Sequence, residues 1–179
     1  GAQYLKGRLQ KKFTVKGADP DDVKDVETFI DTIGEDMFSD VSLSITNKIT
    51  SKGRFNFANK LLQIRKKVVE EGGLTRTMVH ELWHSLSRYL PKKDVDALTK
   101  QFDKVRKEFI EDLSKRAKDT KLTSKQRLAL AKELNDFKKG NYNSDNYRFS
   151  EIDEYFAEEM TDAFLSKLDA DAKLAPQGT

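Results

Sequence analysis

The chain has no cysteine and only two histidines among its 179 residues. Without cysteine there is no disulfide framework, and any metal ion must be held by histidine, aspartate or glutamate. The absence fits a reducing cytosol and many secreted bacterial proteins alike. Charge of one sign is also not in excess: 33 Lys and Arg face 30 Asp and Glu, for a formal net charge of +3. A balance that even gives no case for a nucleic-acid partner. No apolar run is long enough to span a bilayer, and no signal peptide is visible. What is present is 35% charged and 37% hydrophobic residues, the composition of a globular chain long enough to bury a core in one domain. It opens Gly1-Ala2 rather than on methionine, which suggests a piece of a longer polyprotein.

Patterning divides the chain. Residues 1–18 are basic and turn-prone and read as a flexible arm. From Asp21 the apolar positions Val23, Val26, Ile30, Ile33 and Met37 recur at helical spacing, with Asp19-Pro20 as the start. Alternation follows at Val41, Leu43, Ile45 and Ile49, then "RFNFA" and "LLQIRKKVV" after turn-forming pairs. These predict three short strands in a small antiparallel meander, the third over Leu61–Val69. Helical periodicity then dominates: Thr75–Leu90 before Pro91, Lys92–Lys118, Ser124–Lys139 before Gly140, and Ser150–Leu168. "NYNSDNYR" at 141–148 reads as a polar loop. A single domain over 19–170 with a flexible tail at 171–179 is the expected organisation.

Both histidines fall in one turn of the Thr75 helix, as His80-Glu81-Leu82-Trp83-His84. Residues four apart on a helix lie one above the other. Two imidazoles can therefore meet one Zn2+ from the same face, with Glu81 beside the open position as a proton acceptor. Met78, Val79, Leu82 and Leu86 form an apolar stripe on another side. Two stray histidines on a surface helix would be the bland explanation, but the motif sits mid-helix and uses every histidine in the chain.

Zinc needs a third protein ligand, here a carboxylate. Ser87 and Leu90 stand where the extended metzincin form has glycine and histidine, which excludes that class. Two candidates remain. Glu108, 24 residues after His84 with Asp112 four further on, loosely echoes thermolysin-like enzymes, but lies on a helix dense in Lys104, Arg106, Lys107 and Glu111 and fits a solvated face. Glu154 lies beside Tyr155 and Phe156 on an apolar helix, where a carboxylate without a partner is costly, although Ser150 and Asp153 also make a helix-start pattern there. Glu158, one turn later, is placed to receive the outer N–H of a metal-bound histidine.

The segment "YRFSEIDEYFAEEM", Tyr147 to Met160, resembles the second active-site segment of gluzincins of the anthrax lethal factor type, to which clostridial Pro-Pro endopeptidases and related phage-encoded peptidases are similar. In that family a tyrosine precedes the ligand glutamate by seven residues, and the glutamate opens an E-[FY]-F-A-E run. Tyr147 and Glu154 match the spacing, and Glu154 to Glu158 match the run. The resemblance implies zinc held by His80, His84 and Glu154, Glu81 as general base, and the Tyr147 hydroxyl as donor to the tetrahedral intermediate. Trp83 stands where the family often has a small residue. The resemblance does not extend over residues 90–141 and implies nothing about substrate sequence.

The expectation is thus an α+β, zincin-like metallopeptidase, a small and mainly antiparallel sheet on a helical body. It is expected to act as a monomer on a protein or peptide held along the free edge at Leu61–Val69. Neither nucleic acid nor membrane is expected, and a reducing cytoplasm or phage particle is favoured over secretion. The alternative is a zincin-fold binding or assembly module of a larger phage or mobile-element protein, with weak or vestigial activity. Arg65-Lys66-Lys67 reads as an edge-strand charge run, with contact to acidic substrate residues as the sharper alternative. Gly72-Gly73 reads as a hinge and Trp83 as core.

Overall fold

A computed structural model describes residues 4–15 and 17–174. Helices and a three-stranded sheet divide between two compact units, one taking the chain up to Tyr89 and again from Ala157, the other Leu90–Phe156.

In the first unit, α1 (Tyr4–Val15) occupies most of the stretch read as a flexible arm. Leu5, Leu9 and Phe13 recur every fourth residue and are buried in the core. The helix forms because this stripe has a surface to cover: α1 packs on α2 and on β1. Lys6 reaches Asp31 at 2.9 Å and Glu35 at 3.1 Å. Residues 1–3 and 16 of the expected arm lie outside the described residues. So do residues 175–179 of the expected tail, whose first four residues are helical. Helix α2 (Pro20–Ile33) starts at Asp19, whose side chain accepts from the Asp21 amide, and proline at the first helical position is preset for the turn. It ends at Gly34, whose φ of 112° suits only glycine.

The sheet holds β1 (Ser42–Thr46), β2 (Gly53–Asn56) and β3 (Leu61–Arg65) in the order β1-β3-β2. β3 pairs parallel with β1 and antiparallel with β2. The expected antiparallel meander is therefore a mixed sheet, and β3 is its centre. Leu62 and Ile64, on one face of β3, are fully buried, with Leu43 and Phe55 opposite Leu62. The strand expected over Leu61–Val69 stops at Arg65, and Lys66–Glu71 turns into α3. Lys66–Glu70 and Lys67–Glu71 face each other at helical spacing, and Val68 and Val69 are both buried, which a half-exposed strand does not allow. A peptide cannot add to β3, because both its edges are taken. Nor is the basic run an edge guard: Arg65 ends the central strand and donates to the Thr50 carbonyl at 3.2 Å.

α4 (Leu74–Ser87) packs on α2, β2 and β3 through Met78, Val79, Leu82 and Leu86. In the second unit, α5 (Lys92–Arg116) and α6 (Ser124–Lys138) pack together. The capping box of Thr123 and Gln126 opens α6. Phe109 meets Phe137 edge-on at 5.0 Å and stacks on Phe149 at 4.8 Å. Leu128, on the apolar stripe of α6, is 71% exposed. α7 (Ile152–Leu174) begins in this unit and continues into the first.

Candidate metal centre

The motif residues are set by one turn of α4. Gly73, at φ 86°, opens the helix in a left-handed conformation, directly after Gly72 closes α3 at φ 97°. The apolar stripe then fixes the roll of α4 against the sheet and α2, which directs His80, Glu81 and His84 to a common side. Their ligand atoms lie within 4.8 Å of one another. Glu81 and His84 are buried. Trp83 packs against the core and meets Phe29 edge-on at 5.2 Å, so its ring is structural. Ser85 and Ser87 donate their hydroxyls to the Leu82 and His84 carbonyls, satisfying backbone acceptors near the helix end.

The two imidazoles face each other through Nε2, 3.1 Å apart. Two nitrogens bound to one zinc at about 2.0–2.1 Å, at a tetrahedral angle, stand about 3.3 Å apart. The pair is therefore spaced to share an ion with almost no movement. Imidazole and carboxylate donors without thiolate suit a borderline metal such as zinc.

Glu158 on α7 belongs to the same unit, and its Oε1 lies 2.7 Å from Nδ1 of His80. A carboxylate there favours the proton on Nδ1, which leaves the His80 Nε2 lone pair directed at His84. The two Nε2 atoms are also within hydrogen-bond distance of each other, the tautomers deciding which one donates. The other oxygen of Glu158 accepts from Arg76 at 3.0 Å, and Arg76 also donates to Asp162 at 2.6 Å. Arg76 lies one turn before His80, a position that strand and helix periodicity mark only as an exposed cation.

Gly53, at the start of β2, is a second residue the sequence did not single out. A Cβ there would stand 2.8 Å from Thr77 Cγ2 and 3.1 Å from Glu81 Cγ. The backbone of β2 thus lies directly against the Glu81 stem, and only glycine leaves that space.

Tyr147, Glu154 and Glu108 lie in the second unit. Tyr147 opens a 3-10 turn, Tyr147–Phe149, and is 47% exposed. The loop before it is built rather than loose. Asn143 Oδ1 accepts from the amides of Asp145 and Asn146, and Asn146 Oδ1 accepts in return from the Asn143 amide. The Tyr147 carbonyl accepts from Ser150 Oγ at 2.6 Å. The paired asparagines of "NYNSDN" are the sequence signal for this turn. Glu154 is half-buried in the first turn of α7, and Glu108 is exposed on α5.

Compared with protein-family models, curated proteins and solved structures, the chain shows no significant match.

Proposed function

We propose that this chain is a zinc-dependent endopeptidase with a zincin-like fold, of the gluzincin type related to anthrax lethal factor. The observation that carries the reading is the pair of Nε2 atoms 3.1 Å apart beside the buried carboxylate of Glu81. A chance pair of surface histidines has no reason to converge at the spacing of two ligands, nor to have Glu158 behind one of them.

In this reading His80, His84 and Glu154 hold the ion. Support for Glu154 is the E-Y-F-A-E run that it opens and its spacing from Tyr147. Zinc, when bound, polarises the scissile carbonyl and makes water a nucleophile near neutral pH. Glu81 accepts the proton of the attacking water and passes it to the leaving amine. The Tyr147 hydroxyl donates to the oxyanion of the tetrahedral intermediate. Glu158 holds His80 in the ligating tautomer.

Zinc content per chain tests the ligand set. The wild type is expected to carry one zinc, and His84→Ala and Glu154→Gln to lose it. Glu108→Gln should keep it. Zinc retained in His84→Ala, or lost only in Glu108→Gln, contradicts the assignment. A wild type that holds zinc but cleaves nothing in a broad peptide library points instead to a binding or assembly module.

A further inference from the structure

We infer that Arg76 is a positioning residue for the two-histidine site, acting through Glu158 on the tautomer of His80. The inference rests on His80 and His84 being metal ligands, and extends that reading to a residue that reaches His80 through Glu158.

The geometry is a ladder between α4 and α7. Arg76 and His80 are one turn apart on α4, and Glu158 and Asp162 one turn apart on α7. The Glu158 carboxylate is shared, with Oε2 accepting from Arg76 Nη1 at 3.0 Å and Oε1 lying 2.7 Å from His80 Nδ1. Arg76 Nη2 is spent on Asp162 Oδ1 at 2.6 Å. Both arms of the guanidinium fork are therefore engaged, and its plane is set by two carboxylates rather than one.

Side-chain exposure falls along the ladder, from 45% at Arg76 through 21% at Glu158 to 13% at His80. Read as a surface ion pair, the Arg76 contacts stabilise the fold very little. Their consequence lies in orientation. A glutamate has three rotatable bonds, and the contact of Arg76 with Oε2 restricts how the Glu158 carboxylate turns about them. With Arg76 holding Oε2, Oε1 stays at Nδ1 of His80. The proton then stays on Nδ1, and the Nε2 lone pair faces the position where it would meet the ion. Partners of this kind behind a ligating histidine typically govern affinity by about 10–100-fold. Arg76 acts one contact further out, which places its effect at the lower end, about tenfold.

A competing effect has the opposite sign. The guanidinium is a positive charge near a cation site, so deleting it should tighten metal binding if charge alone matters. Arg76→Met and Arg76→Lys separate the two. Lysine keeps the charge and loses the rigid fork.

The first readout needs no metal. With only two histidines in the chain, the imidazole nitrogen NMR spectrum of metal-free protein reports each tautomer, at one pH chosen above the histidine range. In the wild type His80 should be protonated on Nδ1, and in Arg76→Met it should be a mixture of both tautomers. The second readout is zinc affinity by competition with a chelator. Positioning predicts about tenfold weaker binding in Arg76→Met and a smaller loss in Arg76→Lys. An unchanged His80 tautomer in Arg76→Met overturns the inference. So does zinc binding that tightens in Arg76→Met while Arg76→Lys matches the wild type, the signature of charge alone. A lower melting temperature with unmoved tautomer and affinity makes Arg76 merely structural, and also overturns it. If the wild type binds no zinc, the proposed function falls, while the tautomer measurement still decides whether Arg76 positions His80.

Discussion

Gly53→Ala is the perturbation whose magnitude the structure sets most directly. The added methyl would lie 2.8 Å from Thr77 Cγ2, 3.1 Å from Glu81 Cγ and 3.3 Å from Ile64 Cδ1. Carbon atoms in contact prefer about 3.5–4.0 Å, so all three distances are short, the first by about 0.7 Å or more. None of the neighbours can yield by swinging into solvent, because Thr77, Glu81 and Ile64 are all buried. Overpacking of this kind costs about 1–3 kcal/mol. Replacing glycine by alanine restricts the unfolded chain and returns about 0.4–1 kcal/mol, since Gly53 is not among the positive-φ glycines. Net destabilisation of about 1–2 kcal/mol follows. Urea unfolding of the metal-free protein measures it. Thr77→Ser removes the nearest atom, so Gly53→Ala should cost less in the Thr77→Ser background than in the wild type, a coupling that a double-mutant cycle reads directly. Because the same methyl presses on Glu81, Gly53→Ala should also lower peptide turnover while zinc content holds. A Gly53→Ala protein as stable as the wild type, or a cycle without coupling, would refute the close approach of β2 to α4.

Tyr147→Phe removes a hydroxyl from a half-exposed side chain, so melting and zinc content should be unchanged while kcat falls by about a hundredfold or more. Equal kcat in steady-state assays removes Tyr147 from the chemistry. Asp25 gives a pH-dependent prediction. Partial burial, then the carboxylates of Asp22 and Asp21, push its carboxyl above the usual aspartate value. A raised acid favours the fold when protonated, so its contribution is fully present below the unfolded value and is lost as pH rises through the folded one. Asp25→Asn should therefore stabilise the protein by a few tenths of a kcal/mol at neutral pH and do nothing in acid below the aspartate range. Urea unfolding at both pH values checks the sign.

Those parts of the molecule whose cause is local were legible in the sequence. The α2 start at Asp19-Pro20 and the His80-Glu81-His84 turn each depend on residues within a few positions of one another. Strand order was not legible, because alternation marks Leu62 and Ile64 as one buried face without saying which strands flank them. α1 was missed for a related reason: Leu5, Leu9 and Phe13 are separated by basic residues and glycine, and only packing on α2 and β1 makes their stripe a core. Lys66–Val69 shows local pairing overriding a β-like composition. Leu128 shows the converse, an apolar residue at helical spacing that is 71% exposed. At the site, the three motif side chains were readable from one helix turn. Arg76 and Gly53 were not, since their roles exist only once α7 and β2 lie against α4.

The central claim is that Glu81 serves as the base of a metal-dependent hydrolysis, and Glu81→Gln tests it most directly. The amide is isosteric but cannot accept the proton of the attacking water. Wild type and variant, with zinc content measured on the same samples, are incubated with one broad peptide library. The account predicts equal zinc, similar melting and cleavage by the wild type alone, abolished by a chelator and restored by zinc. Cleavage by Glu81→Gln at the wild-type rate would contradict it.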